Sequence, residues 1–150
     1  MILLIAAGWV ARGQIVLTNY NNASPLKIMA MGDSITDDCE VNGSWRRPLQ
    51  PLLESNGFAF TFVGRNSSFT NVGFTKVKHE GHCGAVVAAP GIFSDGRYAT
   101  TLNYLQYIAP NVFTNATPDV MLILIGANDI GNGRNPGVVA TNDVDTLLNI

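Results

Sequence analysis

Leu26-Lys27-Ile28-Met29-Ala30-Met31-Gly32-Asp33-Ser34-Ile35-Thr36 decides how the chain is read. Residues 26–31 are a mostly apolar run of strand length, and the run stops at a glycine. Ser34 follows two residues later. A serine just past the carboxyl end of a buried strand lies where open α/β sheets bind their ligands. The strand fixes the backbone there and leaves the hydroxyl facing a cleft. Gly-Asp-Ser alone is also an ordinary solvated turn. Its weight comes from two blocks further along, His79-Glu80-Gly81-His82-Cys83-Gly84 and Gly126-Ala127-Asn128-Asp129.

The second block follows Val120–Ile125, six apolar residues without alternation, which predicts a strand covered on both faces as in a parallel sheet. Between the two strands the chain alternates. Ser44 can cap a helix over Trp45–Ser55, with Leu49, Leu52 and Leu53 facing inward. Pro48 falls near the tolerated first turn, Pro51 bends or delays the helix, and Gly57 suits its C′ position. Phe58–Val63 alternates as a second strand, and Arg65–Lys78 reads as a loop. Ala85–Ala89 is small and apolar. A helix from Tyr98 to Ile108, capped by Asp95 or Thr100, ends at Pro110. This order predicts a right-handed α/β fold with a parallel central sheet.

The two ends are less regular. Residues 2–11 are mostly apolar and precede Ala11-Arg12-Gly13, which reads either as a clipped signal peptide or as a first strand. Asn19–Pro25 is a polar connector, so residues 1–25 form an N-terminal segment ahead of the domain at 26–150. After a glycine-rich loop, Gly131–Gly137, a helix is expected over Val138–Ile150. It reaches Leu147-Leu148-Asn149-Ile150 without a glycine, basic cap or proline to stop it. The expectation is the front two-thirds of a larger domain.

Composition narrows the function classes. Of the 150 residues, 47% are hydrophobic and 13% charged, a globular balance at a length that can bury a core. Net charge is −2 and the arginines are scattered, which argues against binding nucleic acid by phosphate neutralisation. No apolar run reaches the length of a membrane span. Strand one is not followed by Gly-x-Gly-x-x-Gly, so a dinucleotide site is discounted. Sequons at Asn22, Asn42, Asn66 and Asn115 agree with secretion, each weakly. His79 and His82 bracket Glu80, but a His-x-x-His in a glycine-rich loop lacks the helical spacing of zinc ligands, and no metal or cofactor is expected.

The blocks Gly32-Asp33-Ser34-Ile35-Thr36, the glycines around Gly84, and Gly126-Ala127-Asn128-Asp129 resemble the first three sequence blocks of the SGNH (GDSL-type) hydrolases. Trp45-Arg46-Arg47-Pro48-Leu49, Phe62-Val63-Gly64 and the block from His79 to Gly84 bring the likeness closer to the acetylxylan esterases of carbohydrate esterase family 3. The resemblance implies a three-layer α/β/α, flavodoxin-like fold with its C-terminal part missing. The family's last block, Asp-x-x-His, which supplies the catalytic base, has no match in these residues.

Acyl transfer needs a nucleophile, a base and donors aimed at the oxyanion. The resemblance makes Ser34 the nucleophile and gives the oxyanion donors as the Ser34 N–H, the Gly84 N–H and the Asn128 carboxamide. Gly81 stays open as the alternative glycine, and Asn128 also reads as a helix cap. Asp33 and Asp129 are read as loop supports. His79 and His82 are placed on the oxyanion side of the nucleophile, not as the base. Cys39 and Cys83 would lie at the same end of neighbouring strands, either joined, closing a loop worth about 4 kcal/mol, or free as buried thiols. The implied substrate is an acetyl ester of a plant polysaccharide such as acetylxylan. The rivals are an SGNH lipase or thioesterase, and a non-catalytic carbohydrate-binding remnant. Without the base, little or no turnover is expected of these residues alone.

Overall fold

The computed structural model describes residues 2–5, 24–37, 45–67, 75–87, 116–131, 133 and 135–139. The helix expected over 98–108, residues 140–150 of the helix expected over 138–150, Ser44 and Cys39 lie outside the described residues.

The centre is strand β2, Leu26–Gly32, buried from Ile28 onward. β6, Val120–Leu124, runs parallel along one side of it, pairing Ile28 with Val120 and Gly32 with Leu124. β1, Ile2–Ile5, adds a further parallel strand outside β6. The other side of β2 is shared. β3, Phe60–Val63, pairs with its first half and β5, Lys78–Gly81, with its last two residues, both parallel. A two-residue strand β4, Asn66–Ser67, pairs antiparallel with β5, so the sheet is mixed and not purely parallel as expected.

The alternation of β2 explains why both sheet faces are covered. Met29 and Met31 pack with Ala85, Val87, Met121, Ile123 and Val139, while Ile28 packs on the opposite side with Phe60, Phe62 and Val120. Phe60 and Phe62 meet edge to face at 5.4 Å between ring centres.

Short helices follow the strands. α1 is Ser34–Asp37, α2 is Arg46–Ser55, α3 is Ala127–Gly131 and α4 is Pro136–Val138. α2 begins one residue later than expected and carries Pro51 in its interior. Pro51 and Arg47 are both exposed, so the carbonyl deprived of a partner is on the solvent side. The C-terminus of α2 is a Schellman motif: Phe58 N–H donates to Leu53 O at 3.1 Å and Gly57 N–H to Glu54 O at 3.0 Å. Gly57 takes φ 77°, as that cap requires.

The inward stripe of α2 differs from the expected leucines. Leu52 is 59% exposed, while Arg46 and Gln50 are buried beside Leu49 and Leu53. The stripe at 46, 49, 50 and 53 keeps helical spacing, but two of its members are polar and hydrogen-bonded. Gln50 Oε1 accepts from the Thr75 and Lys76 amides. The Arg46 guanidinium donates from Nε to Thr36 O at 3.0 Å, from Nη1 to Val77 O at 3.3 Å and from Nη2 to Asp37 O at 3.5 Å. Arg46 thus ties the end of α1 to the segment that enters β5.

Candidate active site

The strand register puts three chain turns along one edge of the sheet. Gly32 ends β2, pairing with Gly81 at the end of β5 and with Leu124 at the end of β6. Ser34, Gly84 and Asn128 each lie two to four residues beyond those ends. This is the carboxyl edge of parallel strands, where α/β sheets place their chemistry.

Ser34 is half-buried and opens α1. Asp33 shapes the turn into it. Its Oδ1 accepts from Ile35 N–H at 2.9 Å, and its carbonyl accepts from the Thr36 and Asp37 amides at 3.0 and 2.9 Å. Asp33 Oδ2 is buried without a hydrogen-bond partner. Burial raises the Asp33 carboxyl above its ordinary value, and the Asp129 charge adds to the rise. Among the described residues the N–H and hydroxyl of Ser34 have no hydrogen-bond partner.

The second element is a tight turn. His82 N–H donates to Gly32 O at 2.9 Å, and Ala85 N–H closes the turn on His82 O at 2.9 Å. Gly84 occupies its third position with φ 72°, a conformation that favours glycine. Among the described residues the Gly84 N–H has no hydrogen-bond partner. Gly81 differs. Its N–H donates to His79 Nδ1 at 3.1 Å, and its Cα lies against the backbone of Thr36 and Asp37. The two candidate glycines therefore have different surroundings: one amide is uncommitted, the other is occupied.

The third element is the start of α3. Asn128 Nδ2 donates to Ala85 O at 2.9 Å. The buried Asp129 carboxylate accepts from Val87 N–H at 3.2 and 3.1 Å. Both residues join the β6 end to the segment after the glycine turn. Cys83, in the same turn, is exposed and disulfide-bonded, and its N–H donates to Asp37 Oδ2 at 3.2 Å. The other cysteine, Cys39, lies outside the described residues.

The sequence places both histidines in a loop, but the structure puts His79 and Glu80 in β5 and fully buries them. Glu80 Oε1 accepts from His82 Nε2 at 2.7 Å and from Arg65 Nε and Nη2 at 2.9 and 2.7 Å, and Oε2 accepts from Arg65 N–H at 2.9 Å. Burial opposes the Glu80 charge, but the bonds from His82 and Arg65 outweigh it and hold the carboxyl at about 2. This network was missed in the sequence, where Glu80 stood out only as part of a metal-like spacing. Among the described residues no group of three metal-ligating side chains occurs.

His79 is held neutral. Its Nδ1 accepts the Gly81 amide, so the proton resides on Nε2, which is buried without a partner among the described residues. Burial, with the nearby Arg46 and His82, lowers its pKa to about 3. Both shifts act in the same direction. A histidine lowered from 6.5 to about 3 has its full stability above pH 6.5 and loses it as acid protonates the unfolded chain. A glutamate lowered from 4.5 to about 2 adds its loss below pH 4.5. The expected result is a loss of about 2 kcal/mol between pH 7 and pH 5 from His79, steepening below. Urea unfolding at the two pH values measures it, and a flat profile excludes a buried neutral imidazole.

The chain is similar to known proteins over most of its length. The family model GDSL-like Lipase/Acylhydrolase matches residues 28–150. A multidomain esterase of Ruminococcus flavefaciens is 30% identical over 77% of the chain, an alignment that covers 16% of that relative. The solved structure of a Clostridium thermocellum family 3 carbohydrate esterase superposes with TM-score 0.64 at 27% identity, covering 84% of the chain and 56% of that structure. A family 3 carbohydrate esterase from Talaromyces cellulolyticus gives TM-score 0.56 at 25% identity, covering 83% and 54%. The chain thus spans just over half the length of these solved relatives and a sixth of the multidomain one.

Proposed function

Since the chain belongs to the GDSL-like lipase/acylhydrolase family, we propose that it bears the nucleophile and oxyanion-binding half of a serine ester hydrolase that removes acetyl groups from a plant polysaccharide such as acetylxylan. The likeness to the two family 3 carbohydrate esterases supports the substrate class. The observation that carries the reading is the shared sheet edge, where the uncommitted Ser34 and Gly84 amides and the Asn128 carboxamide follow three adjacent strands.

In this mechanism Ser34 Oγ attacks the acetyl carbonyl carbon. The carbonyl oxygen becomes an oxyanion, received by the two amides and the carboxamide. The sugar oxygen leaves with a proton, and water then cleaves the acetyl-serine. The attack needs a base to take the Ser34 proton. His79 does not suit that part, because it is fully buried, its Nδ1 is taken by the Gly81 amide, and its pKa is lowered to about 3, too weak for a base. His82 is assigned to the glycine turn, whose backbone it closes. An oxidising compartment completes the proposal, supported by the disulfide at Cys83.

The test is a pair of measurements on the protein at its full natural length. A fluorophosphonate should label Ser34, located by peptide mass, and acetate should be released from acetylated xylan. Preference for p-nitrophenyl octanoate over the acetate would favour the lipase reading. Retention of xylo-oligosaccharides with neither label nor acetate would favour a binding role.

A further inference from the structure

The proposed chemistry uses Gly84 only if its amide points one way when the oxyanion forms, so the question is what fixes the turn at 82–85. α1 reaches it through Asp37, whose Oδ2 accepts from Cys83 N–H, and α3 through Asn128, whose Nδ2 donates to Ala85 O. On the remaining side stands the buried Glu80 carboxylate. Arg65 meets it with side chain and backbone, and Asn66 Nδ2 donates to Gly81 O at 2.6 Å, so the corner after β3 is joined to the end of β5. Against this anchor His82 places its ring, Nε2 to Oε1 at 2.7 Å. His82 is therefore held at three points: N–H on Gly32 O, carbonyl on Ala85 N–H, imidazole on Glu80.

We propose that Glu80 and His82 are positioning residues of the oxyanion turn: the carboxylate, fixed by Arg65, holds the imidazole, and the imidazole holds the turn that presents the Gly84 amide. This rests on the esterase reading above. The pair has the hydrogen bond of a base and its orienting carboxylate, but its role is mechanical. A donor stabilises an oxyanion only if it is already oriented when charge develops. Loosening the turn therefore weakens binding of the transition state and not of the ground-state ester, so kcat falls while KM holds.

The experiment compares His82→Ala and His82→Gln in the full-length protein. Outright loss of an oxyanion donor typically costs ~10²–10³, and a donor set loose costs less. His82→Ala should lower kcat for p-nitrophenyl acetate by roughly 10–100-fold with KM within about 2-fold. Glutamine keeps an N–H that can reach Glu80, so His82→Gln should recover most of the loss. Amide hydrogen exchange gives a readout independent of turnover. Exchange at Gly84 and Ala85 should quicken at least about 10-fold in His82→Ala, with the amides of β2 and β6 unchanged.

Equal losses in the alanine and glutamine variants would overturn the proposal, because the ring itself would then do chemistry. Exchange at the turn unchanged, or raised uniformly across the sheet, would overturn it too. If the full-length protein releases no acetate and takes no fluorophosphonate label, the esterase reading fails, while the exchange result still decides the tether.

Discussion

Replacing Ser34 by alanine lowers kcat for p-nitrophenyl acetate by on the order of 10⁶-fold, measured on the full-length protein, and barely changes its stability. The two halves of this expectation come from different observations. Ser34 opens α1 at the end of β2, where its hydroxyl has no hydrogen-bond partner among the described residues. Deleting the hydroxyl breaks no bond of the fold, so the change in unfolding free energy should stay within about 0.5 kcal/mol. The turn itself is shaped by Asp33, through Ile35, Thr36 and Asp37. The backbone amides of Ser34 and Gly84 therefore survive the substitution in place. What remains is an oxyanion site without a nucleophile, which accounts for residual catalysis over water of roughly 10³–10⁴. A variant that keeps more than a tenth of the activity would place the nucleophile elsewhere.

The sheet and the order of the site blocks were legible in the sequence because they depend on short-range signals. An apolar run ending in glycine, a six-residue apolar run before Gly126, and Gly57 after a helical stripe each fix local backbone, and all three elements are present. Arg46, Gln50 and Glu80 were not legible as buried groups. A polar side chain can be buried only when its partners converge on it, and those partners come from distant parts of the chain. Arg46 meets the carbonyls of Thr36, Asp37 and Val77, and Glu80 meets Arg65 and His82. No periodicity announces such encounters. Leu52 shows the same limit from the other side: a leucine at plausible spacing faces solvent because two hydrogen-bonded polar residues hold the inward stripe. The strand at Lys78–Gly81 was hidden for a related reason. Its sequence, Lys-His-Glu-Gly, has no apolar pattern, and the strand is held by its pairing with β2 and by the bonds of Glu80 to Arg65 and His82.

Gly81→Ala is expected to cost about 3 kcal/mol of stability and to reduce turnover beyond that. A Cβ on Gly81 would collide with the Asp37 amide nitrogen and Cα and with the Thr36 carbonyl carbon. All three are backbone atoms, so no side-chain rotation can relieve the contact. Either α1 moves off the sheet or the end of β5 bends. The first displaces Ser34, which opens that helix. The second displaces the turn that begins at His82 and carries Gly84. In both cases nucleophile and oxyanion donor lose register with each other, and a shift near 1 Å costs about 10²-fold in rate. For a domain of this size, the destabilisation corresponds to a fall of roughly 6–12 °C in melting temperature. Gly131→Ala is the matched control. That residue lies at the end of α3 with open space where its Cβ would be, so alanine there should leave melting unchanged or raise it slightly. Equal melting temperatures for the two variants would mean that α1 does not rest on Gly81. The close packing of the nucleophile helix against β5 would then no longer explain how Ser34 and Gly84 are kept at one edge of the sheet.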